Sequence, residues 1–276
     1  MQAYVTLLSN RNYLEGVLVL NETLKQVQSR YPLYCVLSLG VEEEVIPVLE
    51  KKGIRYIRLN KKVFDGVVSS NSKHADWDYS NWNYTFDKLL IWGLVQFEKM
   101  VFLDSDMIVT NNIDHLFDCK PFTASLAGVL FPTNHDIRIL NSGLMVVEPN
   151  GEIEEAMIKI AKKLIPEMQA KNLPLGDQDV INAYFPDWFE HKDLILDDGY
   201  NLYAHYLQSY MRHEGYAVNV QGKRKIYVIH FVGKEKPWMM NTCYRFIRMC
   251  IRMFPNVYYM KACWEYLITL SKVIKK

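Results

Sequence analysis

The chain has 276 residues, of which half are hydrophobic and 13% aromatic, so it can bury the core of one large or two small domains and extended disorder is excluded. Its 32 Lys and Arg residues nearly balance 31 Asp and Glu residues, and the net charge of +1 favours neither a nucleic-acid binder nor an acidic interaction protein. The five cysteines lack a zinc-finger spacing and suggest free thiols in a reducing compartment. No signal-peptide pattern follows Met1, and no run of about 18 apolar residues suggests a membrane span. These features predict a cytoplasmic globular protein.

The first sixty residues alternate between strand-like and helix-like patterns. Strands are predicted at residues 3–8, 33–39 and 54–59, and helices at residues 13–30 and 42–52. This alternation predicts a parallel sheet with right-handed crossovers. Ligands of such sheets bind beyond the carboxyl ends of the strands, where the polar loop after the first strand is also expected.

A polar and aromatic segment interrupts the alternation between residues 61 and 83. It contains Trp77, Tyr79 and Trp82, which either stack on sugar rings or pack the loop over the domain. The next helical pattern, at residues 86–92, carries Lys88, and a single lysine on such a helix is more often solvated than functional.

Asp104-Ser105-Asp106 follows an apolar strand pattern at residues 99–103. On an extended chain, side chains two positions apart point to the same face, so both carboxylates can approach one point and their like charges then need a cation. Hard oxygen ligands of this kind suit Mg²⁺ or Mn²⁺. The simpler alternative is an Asp-rich turn at a strand end, and a pattern this short does not decide between them.

Two further polar motifs lie in the second half of the chain. Asn141-Ser142-Gly143 is predicted to precede a strand at residues 144–147, and an amphipathic helix follows at residues 153–169. Gly176-Asp177-Gln178 precedes another helical pattern, where Asp177 is either an ordinary N-cap or a functional carboxylate.

A third motif follows the strand predicted at residues 227–229. This strand ends at His230, and Gly233 and Lys236 come next. Glycine permits close approach of a ligand to the backbone, and lysine is a point charge suited to phosphate. A strand-end histidine is usually packed or capped, so the functional interpretation depends on these neighbours.

The tail from residue 241 carries seven basic residues and one acid, Glu265, among many apolar side chains. The pattern predicts a basic amphipathic helix that Pro255 splits in two. Packing of its apolar side onto the domain is the favoured interpretation, and peripheral contact with an anionic membrane is the alternative. We predict a domain at residues 1–240 and a helical tail at residues 241–276.

Together these segments resemble the family 8 retaining glycosyltransferases of the GT-A fold, and most closely their glycogenin branch. The matching stretches keep the family's order and are Ala3–Leu7, Asn10 with Tyr13, Gly16–Leu20, Lys88-Leu89, Phe102–Asp106, Asn141–Gly143, Gly176–Gln178, His230–Gly233 and Lys236–Trp238. The resemblance implies an α/β fold with a Rossmann-like, mostly parallel central sheet flanked by helices. The tail would be a C-terminal helical extension.

The resemblance also implies the roles of individual residues. Asp104, Asp106 and His230 would ligate Mn²⁺ (or Mg²⁺), which bridges the phosphates of a UDP-sugar donor. The donor-binding and cofactor-binding set would be Leu7, Asn10, Tyr13, Lys88, Asp104, Ser105, Asp106, Asn141, Ser142, Gly143, Asp177, Gln178, His230, Gly233 and Lys236. Within this set, the catalytic residues would be Asp177, Gln178 and Lys88.

The implied activity is transfer of a hexose, glucose from UDP-glucose as the first choice, to a hydroxyl acceptor. Self-modification of a tyrosine, as in glycogenin, would call for a homodimer. Tyr200-Asn201-Leu202 matches the segment before glycogenin's acceptor, but an ungapped count reaches Gln208, between Tyr206 and Tyr210. The alternatives are a UDP-galactose or UDP-glucuronate transferase acting on a separate glycan or polyol, and a catalytically degenerate nucleotide-binding or interaction protein.

Overall fold

The structure is a computed structural model that describes residues 1–64, 85–127, 137–240 and 242–275. Its strands are β1 (Gln2–Leu8), β2 (Leu33–Leu37), β3 (Arg55–Arg58), β4 (Lys99–Leu103), β5 (Met107–Val109), β6 (Ala124–Leu126), β7 (Leu140–Val147), β8 (Ile195–Leu196), β9 (Leu202–Tyr203), β10 (Tyr216–Ala217), β11 (Arg224–Lys225) and β12 (Val228–His230). Trp77, Tyr79 and Trp82 lie outside the described residues, so their role stays a prediction.

The helices separate into α-helices and short 3-10 helices. The α-helices are α1 (Leu14–Gln26), α2 (Val45–Lys51), α3 (Gly151–Ala170), α4 (Asp177–Tyr184), α5 (Leu207–His213), α6 (Cys243–Met253) and α7 (Val257–Lys275). The 3-10 helices are Arg11–Tyr13, Phe86–Gly93, Asp114–Asp118, Trp188–Glu190, Lys192–Leu194, Asp198–Tyr200, Ala204–Tyr206 and Pro237–Met240. No helix of the described ranges has both the length and the apolar character needed to cross a membrane.

A seven-stranded sheet in the order β3-β2-β1-β4-β7-β6-β8 forms the centre of the fold. The pairs β3-β2, β2-β1, β1-β4 and β6-β8 are parallel, and β7 runs antiparallel to both of its neighbours. The predicted α/β class with a mostly parallel sheet is therefore confirmed. A second sheet, in the order β5-β12-β9, lies beyond the end of β4.

Both faces of the central sheet are covered. Alternate residues of β4 enter two different hydrophobic clusters, Met100 and Phe102 on one face and Val101 and Leu103 on the other. Helices α3 and α4 supply the first cluster, and α1 and α2 supply the second. Because both faces of β4 are buried, neither face carries polar side chains, and residues 100–103 of the strand are all apolar.

Three local predictions need correction. Asn141–Gly143 lies inside β7 and does not precede it, because the antiparallel pairing of β4 with β7 continues to a hydrogen bond from the Asp104 amide to the Gly143 carbonyl, 2.8 Å. The helix carrying Lys88 is a 3-10 helix. Asp104–Asp106 is a turn between β4 and β5 and is not extended.

The tail forms two helices that meet at Pro255, as predicted. One side of α7 is buried on the domain through Tyr259, Ala262, Cys263, Tyr266, Leu270 and Val273. The Tyr266 ring contacts the rings of Phe231 and Trp238 at centroid distances of 5.3 and 5.8 Å. Packing on the domain therefore holds for α7, and the boundary at residue 240 stays a prediction.

Candidate metal and donor site

Asp104, Asp106 and His230 converge beyond the end of β4. The two aspartates come from the turn between β4 and β5, and His230 ends β12, which pairs antiparallel with β5. His230 Nε2 lies 3.1 Å from Asp106 Oδ1 and 3.9 Å from Asp104 Oδ2. One ligand atom from each of the three residues lies within 4.8 Å of the others.

Two carboxylate oxygens and an imidazole nitrogen at these separations fit one divalent cation. The donor set suits Mn²⁺, which accepts oxygen and nitrogen ligands, and it also permits Mg²⁺. Asp106 and His230 are buried, so without a cation their charges would rely on neighbouring residues for compensation. The predicted metal ligands thus form a site that could hold the ion.

Lys236 supplies part of that compensation. Its ammonium group is buried, pairs with Asp106 Oδ2 and donates to the Phe231 carbonyl oxygen at 2.9 Å. Burial by itself raises the pKa of Asp106, but Lys236 and His230 outweigh that effect and hold the pKa below its usual range. Lys236 therefore acts as an internal counter-ion to a carboxylate that could bind a metal ion.

Lys88 joins the metal site to Asp177. Its Nζ lies 3.0 Å from Asp104 Oδ1 and 2.9 Å from Asp177 Oδ2. Burial by itself lowers the pKa of Lys88. The two carboxylates raise it by a larger amount, so the pKa lies above its usual value. Lys88 is not a solvated surface lysine, because 96% of its surface is covered.

The pKa of Asp104 shifts in the opposite direction to that of Asp106. Desolvation raises the pKa of Asp104, and the neighbouring Asp106 adds to this effect, while Lys88 lowers it. Two carboxylates this close do not both ionise readily unless a cation lies between them. A cation bound between Asp104 and Asp106 would therefore stabilise the ionised form of both carboxylates.

Ser142 contacts both Asp177 and Gln178. Ser142 Oγ donates to Asp177 Oδ2 at 2.7 Å, and the Ser142 amide donates to Gln178 Oε1 at 3.2 Å. Asp177 is the first residue of α4, and Gly176 is the N-cap. The interpretation of Asp177 as an ordinary N-cap is therefore wrong, and its carboxylate faces Lys88.

The other predicted donor-site residues line the same edge of the sheet. Leu7 lies near the end of β1, and Asn10 caps the 3-10 turn that ends at Tyr13. The Tyr13 ring lies 5.8 Å from Lys236 Nζ and makes an edge contact with Trp238. Gly233 is exposed and has a φ of +97°, a conformation that favours glycine. The assignment of Leu7, Asn10 and Tyr13 to a uridine pocket stays a prediction.

Ser105 and Gly143 each take part in a close contact that leaves no room for an additional carbon atom. A Cβ atom at Gly143 would lie 2.9 Å from both His230 Cε1 and Met107 Cε, so only glycine fits beside the histidine. The Ser105 carbonyl lies against Gly16 of α1, where a Cβ atom would overlap it. Both glycines allow close packing, Gly16 with the turn at residues 104–106 and Gly143 with His230.

Comparison with known proteins identifies the family. The family model of glycosyl transferase family 8 matches residues 4–242. The chain belongs to glycosyl transferase family 8. Mouse glycogenin-1 is 30% identical over 249 residues, which cover 86% of this chain and 65% of that protein. The inositol phosphorylceramide glucuronosyltransferase 1 of Arabidopsis thaliana is 32% identical over 186 residues, covering 67% of this chain and 30% of that protein.

Family 8 membership confirms the predicted resemblance, and the predicted enzyme class agrees with it. The chain spans less than two thirds of the length of the glycogenins of mouse, human and Caenorhabditis elegans that it matches. The structure of galactosyltransferase LgtC with donor and acceptor sugar analogs aligns with a TM-score of 0.61 at 15% identity, covering 96% of each chain. This likeness confirms the GT-A fold.

Sequence reasoning about this family 8 chain missed the role of Asn201. Its side-chain oxygen lies 2.8 Å from His230 Nδ1, and its amide nitrogen donates to Asn141 Oδ1 at 2.8 Å. Asn141 in turn donates to the Tyr203 hydroxyl at 2.6 Å. The only signal in the sequence was the position of Asn201 in the matched Tyr-Asn-Leu segment.

Proposed function

We propose that the chain is a metal-dependent, retaining glycosyltransferase that moves a hexose from a UDP-sugar to a hydroxyl acceptor, with glucose as the sugar. The observation that carries the proposal is the convergence of Asp104, Asp106 and His230 beside two buried lysines. A catalytically degenerate binding protein has no need for a full set of cation ligands with buried counter-charges.

The two lysines would serve opposite ends of the donor. A divalent cation, when bound, would act as a Lewis acid that neutralises charge on the leaving diphosphate. Because the cation would also neutralise Asp106, Lys236 would be released to pair with phosphate oxygens, helped by the open backbone at Gly233. Lys88 would remain between Asp104 and Asp177 and couple the metal side of the site to the sugar side.

Asp177 would act at the sugar. Lys88 and Ser142 hold one oxygen of its carboxylate, so the group has a fixed orientation before the substrate arrives. A carboxylate preorganised in this way can stabilise the positive charge that develops at the anomeric carbon, or can serve as a nucleophile. Gln178 and Asn141 are the proposed hydrogen-bonding partners of the sugar.

Tyr206 is the proposed self-acceptor if the chain modifies itself, and a homodimer would then assist the reaction. Tyr210 is buried and its hydroxyl lies 3.1 Å from Asp198 Oδ2, so it is poorly placed to accept a sugar. Tyr206 is partly exposed, and ring contacts lead from it through Tyr203 to His230. The route supports an acceptor position close to the metal site.

A second candidate donor is UDP-glucuronate. Two relatives are named as glucuronosyltransferases, the inositol phosphorylceramide enzyme and a xylan enzyme of Arabidopsis thaliana that is 27% identical. Such an activity, or a UDP-galactose transferase activity, would use a separate glycan, lipid or polyol acceptor. A cytoplasmic location stays a prediction.

Release of UDP tests the proposal. The protein would be incubated with UDP-glucose, UDP-galactose or UDP-glucuronate, with Mn²⁺ or with EDTA, and intact mass would report hexose added to the chain. We expect metal-dependent UDP release that is fastest with UDP-glucose, and a mass increment that Tyr206→Phe abolishes. UDP release without a mass increment would assign a separate acceptor.

The metal assignment has its own test. Asp106→Asn removes an anionic ligand while preserving shape, so turnover should fall about a hundredfold or more. Asp118→Asn, an exposed neighbour outside the site, is the matched control and should keep full activity. Full activity of Asp106→Asn in EDTA would contradict the metal site, and no UDP release from any donor would favour the degenerate protein.

A further inference from the structure

Helix α6 has three distinct faces. At about 100° per residue, Phe246, Met249, Cys250 and Met253 share the face that packs on the protein. A second face carries Tyr244, Ile247, Ile251 and Phe254, and the third carries Arg245, Arg248 and Arg252. The helix therefore presents an apolar face and a basic face side by side, apart from the face it buries.

The second face is apolar and is not covered by any of the residues that the structure describes. Tyr244, Ile251 and Phe254 are each 73–74% exposed, and Ile247 is 52% exposed. Trp264 of α7, which contacts Phe246 on the packed face of α6, is a further exposed aromatic residue of the tail at 53% exposure. Scattered exposed apolar residues are ordinary, but four of them along one face of a single helix mark an interaction surface.

Charge is distributed unevenly between the tail and the rest of the chain. Residues 241–276 hold seven of the 32 basic residues and one of the 31 acids, so the tail carries a net charge of +6. The remaining 25 basic and 30 acidic residues leave residues 1–240 with a net charge of −5. The apolar patch thus lies on the one strongly basic part of the sequence.

We propose that α6 docks on the surface of an anionic lipid bilayer. Its apolar face would enter the headgroup and acyl boundary, and the flanking Arg245, Arg248 and Arg252 would contact lipid phosphates. A second copy of the chain fits this surface less well, because a two-fold contact would bring the arginine faces of both copies together. An anionic bilayer offers acyl chains to the apolar face and phosphate groups to the basic face.

The position of α6 links this surface to the donor site. The 3-10 helix Pro237–Met240 connects Lys236 to α6, and Arg252 pairs with Glu235 at 2.8 Å. The Asn256 side chain, between α6 and α7, donates to the His205 carbonyl beside Tyr206. If the proposed function holds, docking would bring the site to the bilayer and favour an acceptor hydroxyl on a membrane-bound molecule.

Vesicle sedimentation of the full chain tests the docking without reference to activity. The probes are phosphatidylcholine vesicles with and without phosphatidylglycerol, at low and at high salt. We expect binding to the anionic vesicles alone and weaker binding at high salt. Ile247→Ser with Ile251→Ser should reduce the partition coefficient at least about tenfold, and Arg248→Gln about fivefold.

Val95→Ser is the matched control, because Val95 is 70% exposed and lies outside the tail. It should bind vesicles as the unchanged chain does, and all of these variants should release UDP from soluble donor at the unchanged rate. Absence of binding to anionic vesicles, or equal binding to neutral ones, would overturn the proposal. A dimer in light scattering that Ile251→Ser dissociates would assign the surface to a second copy and overturn it as well.

Discussion

At the scale of single residues, the hydrogen bonds around His230 determine which of its nitrogens can bind a cation. The Gly143 amide donates to Asn141 Oδ1 at 2.8 Å, so that atom is an oxygen and the Asn201 atom beside it is the amide nitrogen. The Asn201 oxygen must then face His230 Nδ1, which carries the proton. In the neutral ring His230 Nε2 then has the free electron pair, on the side that faces the aspartates, where a cation would bind.

This network predicts the effect of changing Asn201. Asn201→Leu removes the acceptor for Nδ1–H and frees the ring to adopt the other tautomer, so Mn²⁺ affinity should fall about 10–100-fold. Asn201→Asp keeps an acceptor at the same place and should retain most of the affinity. Calorimetric titration of the apo protein with Mn²⁺ measures both, and equal affinity of all three proteins would contradict the tautomer argument.

Asp114 predicts a pH dependence of stability away from the site. Although burial raises the pKa of Asp114, hydrogen bonds from the Arg30 amide, Ser29 and Tyr4 lower it below its usual range. The unfolded chain therefore takes up the proton first as the pH falls below about 4. The stabilisation is fully present above that pH and is lost as the pH falls further.

Asp114→Asn should accordingly cost about 2 kcal/mol of unfolding free energy at pH 7, a typical value for hydrogen bonds to a charged group. Below about pH 4 the difference from the unchanged protein should shrink, because the Asp114 carboxyl takes up a proton in the unfolded chain there and in the folded chain only at lower pH. Urea unfolding at several pH values is the measurement. Asp118→Asn, four residues along and exposed, should change neither the stability nor its pH dependence.

At the scale of elements, the packing of α1 against the metal-binding turn depends on Gly16. A methyl group there would overlap the Ser105 carbonyl and lie 3.2 Å from the Trp238 ring, and backbone cannot move aside as a side chain can. Gly16→Ala should displace the turn, lower stability by about 1–3 kcal/mol and weaken Mn²⁺ binding.

Gly151→Ala is the control for that change. Gly151 is the first residue of α3, and a methyl group there meets nothing within 4 Å. This variant should be neutral or more stable by up to about 1 kcal/mol, because alanine has less freedom in the unfolded chain. Thermal unfolding and Mn²⁺ titration of both variants compare the two sites, and similar behaviour would show that the turn tolerates movement of α1.

At the scale of the whole molecule, α7 is part of the hydrophobic core. Tyr266 is fully buried against Phe231 and Trp238, which immediately flank the segment that carries Lys236. Its hydroxyl has no hydrogen-bond partner among the described residues. Helix α7 thus stabilises the segment that carries Lys236, the residue proposed to bind the diphosphate.

Tyr266→Ala should therefore destabilise the protein by about 3–5 kcal/mol and weaken UDP binding. Tyr266→Phe removes only a buried hydroxyl without a partner and should be neutral or stabilising. Denaturant unfolding and UDP titration measure the two effects. A small loss of stability in Tyr266→Ala would mean that the tail folds independently of the domain, as the boundary at residue 240 implies.

The sequence by itself determined the α/β class, the alternating strands and helices of the first sixty residues and strand β4, but it missed β5 and β6. Hydrophobic periodicity and strand-end motifs depend on neighbours along the chain, and these are visible in a sequence. The family resemblance placed Asp104, Asp106, His230, Lys88 and Lys236 in one site, and the structure brings them into contact.

Only the tertiary structure decided how these groups are held. The turn that carries the aspartates lies beside His230 because β5 pairs with β12, a pairing across about 120 residues that no local pattern encodes. The burial of Lys88 and Lys236, the link from Asn201 to His230 and the uncovered face of α6 also depend on distant contacts. Local sequence specifies local structure, and the charges and hydrogen bonds of the site follow from how remote segments pack.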